Sequence, residues 1–353
     1  MLALMGMDMF LSRNSVAFSL AFAAAFVLTL VFGRVMIPRL KSWQHRGQPI
    51  RTDGVESHAE KSGTPTMGGI IFIPAIIIAA LTFMDWSSMV AWIPLLAMAS
   101  FGIIGLIDDY NKVVRGNSYA GLSQFGRLVA EGAVAVALTF LIDATMPASI
   151  PALSVAMPFG IVLPIGIFYF VWSYFVIVGT ANATNITDGL DGMLSKIYMA
   201  PMAVMIVALV GVTRIGFWPN LPFLPETAAL FPILGAGMGA VLGFLWFNSK
   251  PASIFMGDTG SLALGALLGS VALLTKSEIA MGVASMMMVL ILLSSFIQMM
   301  YYRFSITKSR PPFLMAPLHH HFEKKGWAET KIVERFFIAS IIFAGIAVAI
   351  LKL

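Results

Sequence analysis

Two asparagines and two aspartates recur at every third position of the stretch Thr180–Gly192: Asn182, Asn185, Asp188 and Asp191, each aspartate followed by a glycine. Carboxylates and carboxamides in this number offer oxygen atoms to a hard cation and hydrogen bonds to a nucleotide or a diphosphate. On an ideal helix the four drift by about 60° per step, whereas a 3₁₀ or irregular turn lines them up. Gly189 and Gly192 let a ligand approach the backbone closely. The same residue types also suit a capped turn between two helices.

Four further polar stretches carry related chemistry. Lys61-Ser-Gly-Thr-Pro-Thr66-Met-Gly-Gly69 lacks the order of a P-loop, yet offers an ammonium as a point charge for phosphate. The adjacent carboxylates of Asp108 and Asp109 repel each other at the end of an apolar segment, a conflict that a cation relieves; Lys112 stands four residues on. Asn248 precedes Phe255-Met-Gly-Asp258-Thr-Gly-Ser261. There Asp258 suits a helix N-cap or first turn, and equally a ligand to Mg²⁺. Pro317-Leu-His319-His320-His321-Phe-Glu323 is internal. Consecutive histidines diverge on a helix, which favours hydrogen bonding and charge donation to phosphate over one shared metal. Glu131 lies about a turn inside an apolar segment, where an ionisable group is a functional candidate, with Arg127 four residues earlier as a natural partner.

The elements that must position these groups are membrane helices. Of 353 residues 59% are hydrophobic and 11% charged, with a mean hydropathy of +0.89; soluble domains carry about 25% charged residues. No polar stretch is long enough for a core of its own, so residues 1–353 read as a single integral membrane domain. Cysteine is absent, which excludes a disulfide framework and a Cys-based metal site. The net charge of +5 is no nucleic-acid signal in such a chain. A span needs about 20 apolar residues. That template yields about ten spans, near 15–36, 68–84, 88–107, 126–142, 159–178, 194–213, 229–247, 260–275, 279–302 and 334–352. The first is too long for a signal-peptide core and is read as retained. With ten spans, 18 of the 22 Lys and Arg fall in the loops after odd-numbered spans. Only Arg13, Arg214, Lys276 and Lys352 fall on the other side. The positive-inside rule makes the crowded side cytoplasmic. All five polar stretches lie in that set of loops, so they are expected to converge on one cytoplasmic-face cleft. Carboxylates with Lys, His and Mg²⁺ at a membrane surface point to metal-assisted phosphoryl transfer involving a lipid.

The motifs also resemble a known family. Asp108-Asp109, Asn182 to Gly192, Phe255-Met-Gly-Asp258 and Pro317-Leu-His-His-His-Phe-Glu323 are similar to those of the polyprenyl-phosphate N-acetylhexosamine-1-phosphate transferases. Lys61 to Gly69 and the histidine motif resemble its cell-wall branch, the phospho-N-acetylmuramoyl-pentapeptide-transferases, in register from about Arg51 to Trp327. The resemblance implies an all-α polytopic protein of the bacterial inner membrane, forming a homodimer. It implies Mg²⁺ as cofactor, with UDP-N-acetylmuramoyl-pentapeptide and undecaprenyl phosphate as substrates and lipid I and UMP as products. Asp258 would bind the metal, and Asp108 or Asp109 would orient or deprotonate the lipid phosphate. Asn182, Asn185, Asp188 and Asp191 would line the nucleotide–diphosphate cleft, with Lys112 and Gln298 also among the substrate contacts. Asn248, Phe255, Lys61 and Thr66 would contact the uridine diphosphate, and His319, His320 and His321 the sugar phosphate. Two departures stand out. No Glu precedes Gln298 in Ser294-Ser295-Phe296-Ile297-Gln298, and Ala120 and Gly126 stand where the family often carries basic residues, with Arg127 nearby. A sister activity, transfer of GlcNAc-1-phosphate from UDP-GlcNAc, would use the same carboxylates.

Overall fold

A computed structural model describes residues 2–44, 47, 63–147, 153–214, 222, 224–305 and 311–352, with side chains of the first helix from Arg13 onward. It is all-α apart from one small hairpin. The helices are α1 (Leu2–Gln44), α2 (Gly69–Phe83), α3 (Met89–Arg115), α4 (Gln124–Thr145), α5 (Tyr169–Thr187), α6 (Met193–Thr213), α7 (Phe231–Asn248), α8 (Gly257–Leu274), α9 (Glu278–Ala284), α10 (Met286–Phe304), α11 (Leu318–Lys324) and α12 (Glu329–Lys352). Among the described residues, nine helices are long and apolar enough to cross a membrane. The second expected span is α2, apolar but only 15 residues long.

Four of the differences from the hydropathy reading have a clear local reason. The fifth span does not begin at 159. Residues Ser154–Ala156 (β1) and Val162–Pro164 (β2) pair antiparallel, and α5 starts only at Tyr169. Gly160 and Gly166 adopt positive φ there, which ends any helix. At its other end α5 runs on through the Asn/Asp stretch to Thr187, because the hydroxyls of Thr180, Thr184 and Thr187 return to carbonyls four residues back. The polar side chains thus hydrogen-bond within the helix they were expected to end. Likewise α3 carries Asp108 and Asp109 inside it, two turns before Gly116 closes it in the left-handed conformation. The ninth span divides at Ser285 into α9 and α10.

Helix α8 is the hub, packed against α2, α3 and α5 and buried almost along its whole length. Its contacts depend on missing side chains, as expected where lipid supplies little drive for helix association. A Cβ on Gly105 of α3 would stand 2.2 Å from the Asp258 carbonyl oxygen. A Cβ on Gly265 of α8 would stand 2.4 Å from the Ala181 Cα of α5. The same device joins α1 and α7, where Gly235 and Gly239 face the carbonyls of Phe18 and Phe22.

At the end of α8 remote from Asp258, Lys276 is buried. Its ammonium donates to the Ser154 carbonyl (2.8 Å) and the Tyr169 hydroxyl (3.1 Å), which ties β1 to the α8–α9 turn. This is one of the four basic residues that the loop count assigned to the far side.

The α3–α8 approach yields a stability prediction. Gly105→Ala forces backbone apart and is expected to cost about 1–3 kcal/mol. Gly345→Ala, in α12 with nothing within 4 Å of the new methyl, is expected to be neutral. Thermal unfolding of both variants in detergent checks the pair.

Candidate active site

The site grows from the buried N-terminus of α8. The first amides of a helix have no partner within it and carry partial positive charge. Here carboxylates from other elements supply the acceptors. Asp109 of α3 accepts the Asp258 N–H (3.2 Å) at Oδ1, and the Thr259 N–H (2.9 Å) and hydroxyl (2.7 Å) at Oδ2. Asp188, the residue after α5, stands beside the same helix start, near Gly257. Asp109 is therefore the cap of α8, supplied across the helix pair, and of the two places the sequence offered Asp258, N-cap or first turn, the first turn holds. Asp258 sits in the first turn with its side chain free to point into the site.

Asp108, Asp109 and Asp258 form one cluster, each offering an oxygen within 4.8 Å of the others. Asp108 and Asp109 are 2% and 3% exposed, so their charges need compensation. Lys112 bridges Asp108 Oδ2 (2.5 Å) and Asp258 Oδ2 (2.9 Å). Arg127 of α4 approaches Asp258 Oδ2 at 3.3 Å, and Asn185 donates to Asp258 Oδ1 at 2.6 Å. Leu122 N–H donates to Asp108 Oδ1 at 2.6 Å, and a Cβ on the preceding Gly121 would strike that same oxygen. Around this core, Asn182 accepts from Arg127 Nη2 (3.1 Å) and donates to Glu131 (2.7 Å). The segment before α2 is tied on by backbone: Phe255 N–H donates to the Pro65 carbonyl, and Gly68 N–H to the Phe255 carbonyl, each at 2.9 Å. Gln44 fixes Thr66 through both amide atoms. His319 is wholly buried against the Gly189 backbone, where a Cβ would meet its Nε2 at 2.1 Å.

Thus the fold brings together Thr66, Asp108, Asp109, Lys112, Asn182, Asn185, Asp188, Phe255, Asp258 and His319, all expected at one site. Other expected contacts are engaged elsewhere. The four-residue Asn/Asp row does not form one wall. Asp191 turns away and accepts the Ala252 N–H (3.0 Å), while Glu329 accepts its own N–H (2.8 Å). Asn248 accepts the Gly192 N–H and donates to the Ile254 carbonyl, fastening the loop after α7 to the start of α6. Gln298 uses both amide atoms on the Phe313 backbone. The histidines fan out on α11: His320 pairs with Glu323 (2.6 Å), and His321 accepts the Leu314 N–H (3.0 Å). Burial, with Lys325 nearby, lowers the basicity of His321. Lys61 lies outside the described residues. Arg127 is the site member that sequence reasoning had not placed; its spacing to Glu131 was the available signal.

Asp188 gives a pH prediction. Burial, reinforced by Asp258 and Asp109, raises its carboxyl from the ordinary 3.8 to about 7. The folded protein then holds a proton that the unfolded chain has already lost, over the range between those values. Its stability in EDTA is expected to fall as pH rises through that range, and Asp188→Asn is expected to flatten the trend. Thermal melts in detergent across pH 4.5–8 read the difference.

Comparison with known sequences adds two findings of family. The sequence pattern of glycosyl transferase family 4 matches residues 91–276, and signature 1 of the phospho-N-acetylmuramoyl-pentapeptide-transferases matches residues 61–73. The chain is 42% identical over 336 residues to phospho-N-acetylmuramoyl-pentapeptide-transferases of Rickettsia felis and Rickettsia canadensis, covering 95% of this chain and 92% of each relative. A carboxylate cluster inside a bundle of apolar helices, a matching signature that runs into α2 and identity over nearly the whole length agree: the chain belongs to the phospho-N-acetylmuramoyl-pentapeptide-transferase family.

Proposed function

We propose that this protein transfers phospho-N-acetylmuramoyl-pentapeptide from its UDP carrier to undecaprenyl phosphate, releasing UMP and forming lipid I. The observation that carries the reading is the Asp108–Asp109–Asp258 cluster with Lys112 and Arg127, in a chain of this family. The same relatives favour this donor over UDP-GlcNAc.

The donor set fits Mg²⁺. All the offered atoms are carboxylate oxygens, which hard cations prefer. Among the described residues Asp108 Oδ2 is buried without a hydrogen bond, 2.5 Å from the Lys112 ammonium. Asp258 and Asp108 would hold the ion, while Asp109 remains committed to the α8 amides. When bound, Mg²⁺ offsets charge on the diphosphate and on the leaving oxygen.

The remaining chemistry belongs to the chain. Lys112 and Arg127, displaced from Asp258, would grip the donor diphosphate as point charge and fork. A lipid phosphate oxygen attacks the β-phosphorus; a new P–O bond forms as the bond to the bridging oxygen breaks, and UMP departs with that electron pair. A lipid phosphate is largely ionised near neutral pH, its second pKa being about 6 as in other monoesters, so Asp108 orients more than it deprotonates. Asn182, Asn185 and Asp188 would border the diphosphate, and buried His319 would donate to the sugar phosphate. The excess of Lys and Arg in the loops on this side supports a cleft on the cytoplasmic face of the bacterial inner membrane. A homodimer is expected from the family resemblance.

UMP release from UDP-N-acetylmuramoyl-pentapeptide in the presence of undecaprenyl phosphate is expected to require Mg²⁺. Asp258→Asn is expected to lower it about a hundredfold or more, the scale of one lost transition-state charge contact. Near-normal turnover by that variant removes the metal assignment, and faster turnover of UDP-GlcNAc removes the donor assignment.

A further inference from the structure

Glu131 has no part in the scheme above, yet it is wholly buried on α4. An uncompensated carboxylate there is costly. Its Oε2 accepts from the Asn182 amide at 2.7 Å. Its Oε1 faces Arg127 Nε at 3.5 Å, and neither of those two buried atoms makes a hydrogen bond among the described residues. The other edge of the same guanidinium lies 3.3 Å from Asp258 Oδ2 and donates to Asn182 at 3.1 Å. Arg127 is thus suspended between two carboxylates, loosely held by each, with Asn182 bridging it to Glu131.

That geometry bears on how a divalent cation reaches Asp258. Lys112 and Arg127 already neutralise most of the cluster, so an incoming dication competes with them for Asp258. In a partly buried site, a guanidinium with no alternative anion resists displacement. Glu131 offers that alternative within the same side-chain reach, and the unfilled Nε–Oε1 contact would close as the Asp258 contact opened. We infer that Glu131 is a positioning residue: it is the second dock of Arg127, and by drawing that cation off Asp258 it raises the affinity of the site for a divalent metal. The inference rests on the proposed reading of Asp258 as a metal ligand.

Mn²⁺ binding to purified full-length protein in detergent, followed by loss of the free-ion EPR signal, tests it without turnover. The set is wild type, Glu131→Gln, Arg127→Gln and the double variant. Gln keeps an acceptor for Asn182 and removes only the charge. Glu131→Gln is expected to weaken Mn²⁺ binding about fivefold or more in the wild-type background and less than twofold in the Arg127→Gln background, the mark of coupling through one partner. Arg127→Gln alone is expected to tighten Mn²⁺ binding about threefold. Equal weakening in both backgrounds, or none in the first, overturns the inference. If Glu131→Gln does not fold, Arg127→Gln alone decides, and unchanged or weaker binding overturns it. Wild type binding no more Mn²⁺ than Asp258→Asn overturns the metal reading itself, and the inference with it.

Discussion

Three aspartates within 4.8 Å of one another, most of their surface withdrawn from water, are the constraint that the rest of this structure answers. Like charges at that spacing repel strongly where water is scarce. The chain compensates in three ways at once. The amides at the start of α8 take Asp109. Lys112 and Arg127 take Asp108 and Asp258. Asn185 holds the remaining oxygen of Asp258. Each device fixes a helix relative to a neighbour, so compensation of charge and assembly of the site are the same event.

The approach of the helices depends in turn on glycine. Asp109 reaches the α8 amides only because α3 and α8 touch backbone to backbone at Gly105. Gly265 does the same for α5, which brings Asn185 to Asp258. A second ring of contacts steadies this core: Gln44 on Thr66, Asn248 on the loop after α7, Glu329 on the Asp191 turn, Gln298 on Phe313. Several of these are residues of the motifs themselves. Motif membership therefore does not separate groups that face a substrate from groups that brace them.

Much of this was legible in the chain. Composition and hydropathy fix an all-α membrane protein, since no other backbone arrangement with apolar runs of this length satisfies its hydrogen bonds in lipid. The polar stretches and their shared side of the span count led to one site, and α3, α5, α8 and α11 do bring theirs together. The Lys112 and Glu131 pairings follow from spacing of four on a helix, a local rule. Local rules mislead where a polar residue reads as the end of a helix. Thr180, Thr184 and Thr187 hide their hydroxyls on the turn below, and α5 continues through them.

What the sequence determined by itself is the kind of protein and the inventory of its chemistry: apolar helices, oxygen ligands, a few cations and family motifs. Those are properties of residue type and of spacing within one helix. Only the tertiary structure decided which of the carboxylates caps a helix and which stands open. It alone turned Asp191, Asn248 and Gln298 toward loops, and it brought Arg127 between Asp258 and Glu131. The physical reason is that the deciding contacts across helices join residues far apart in the chain, 51 residues for Asn182 with Glu131 and 150 for Asp109 with Thr259. Their meeting is set by how closely neighbouring helices approach, which no periodicity within a helix encodes.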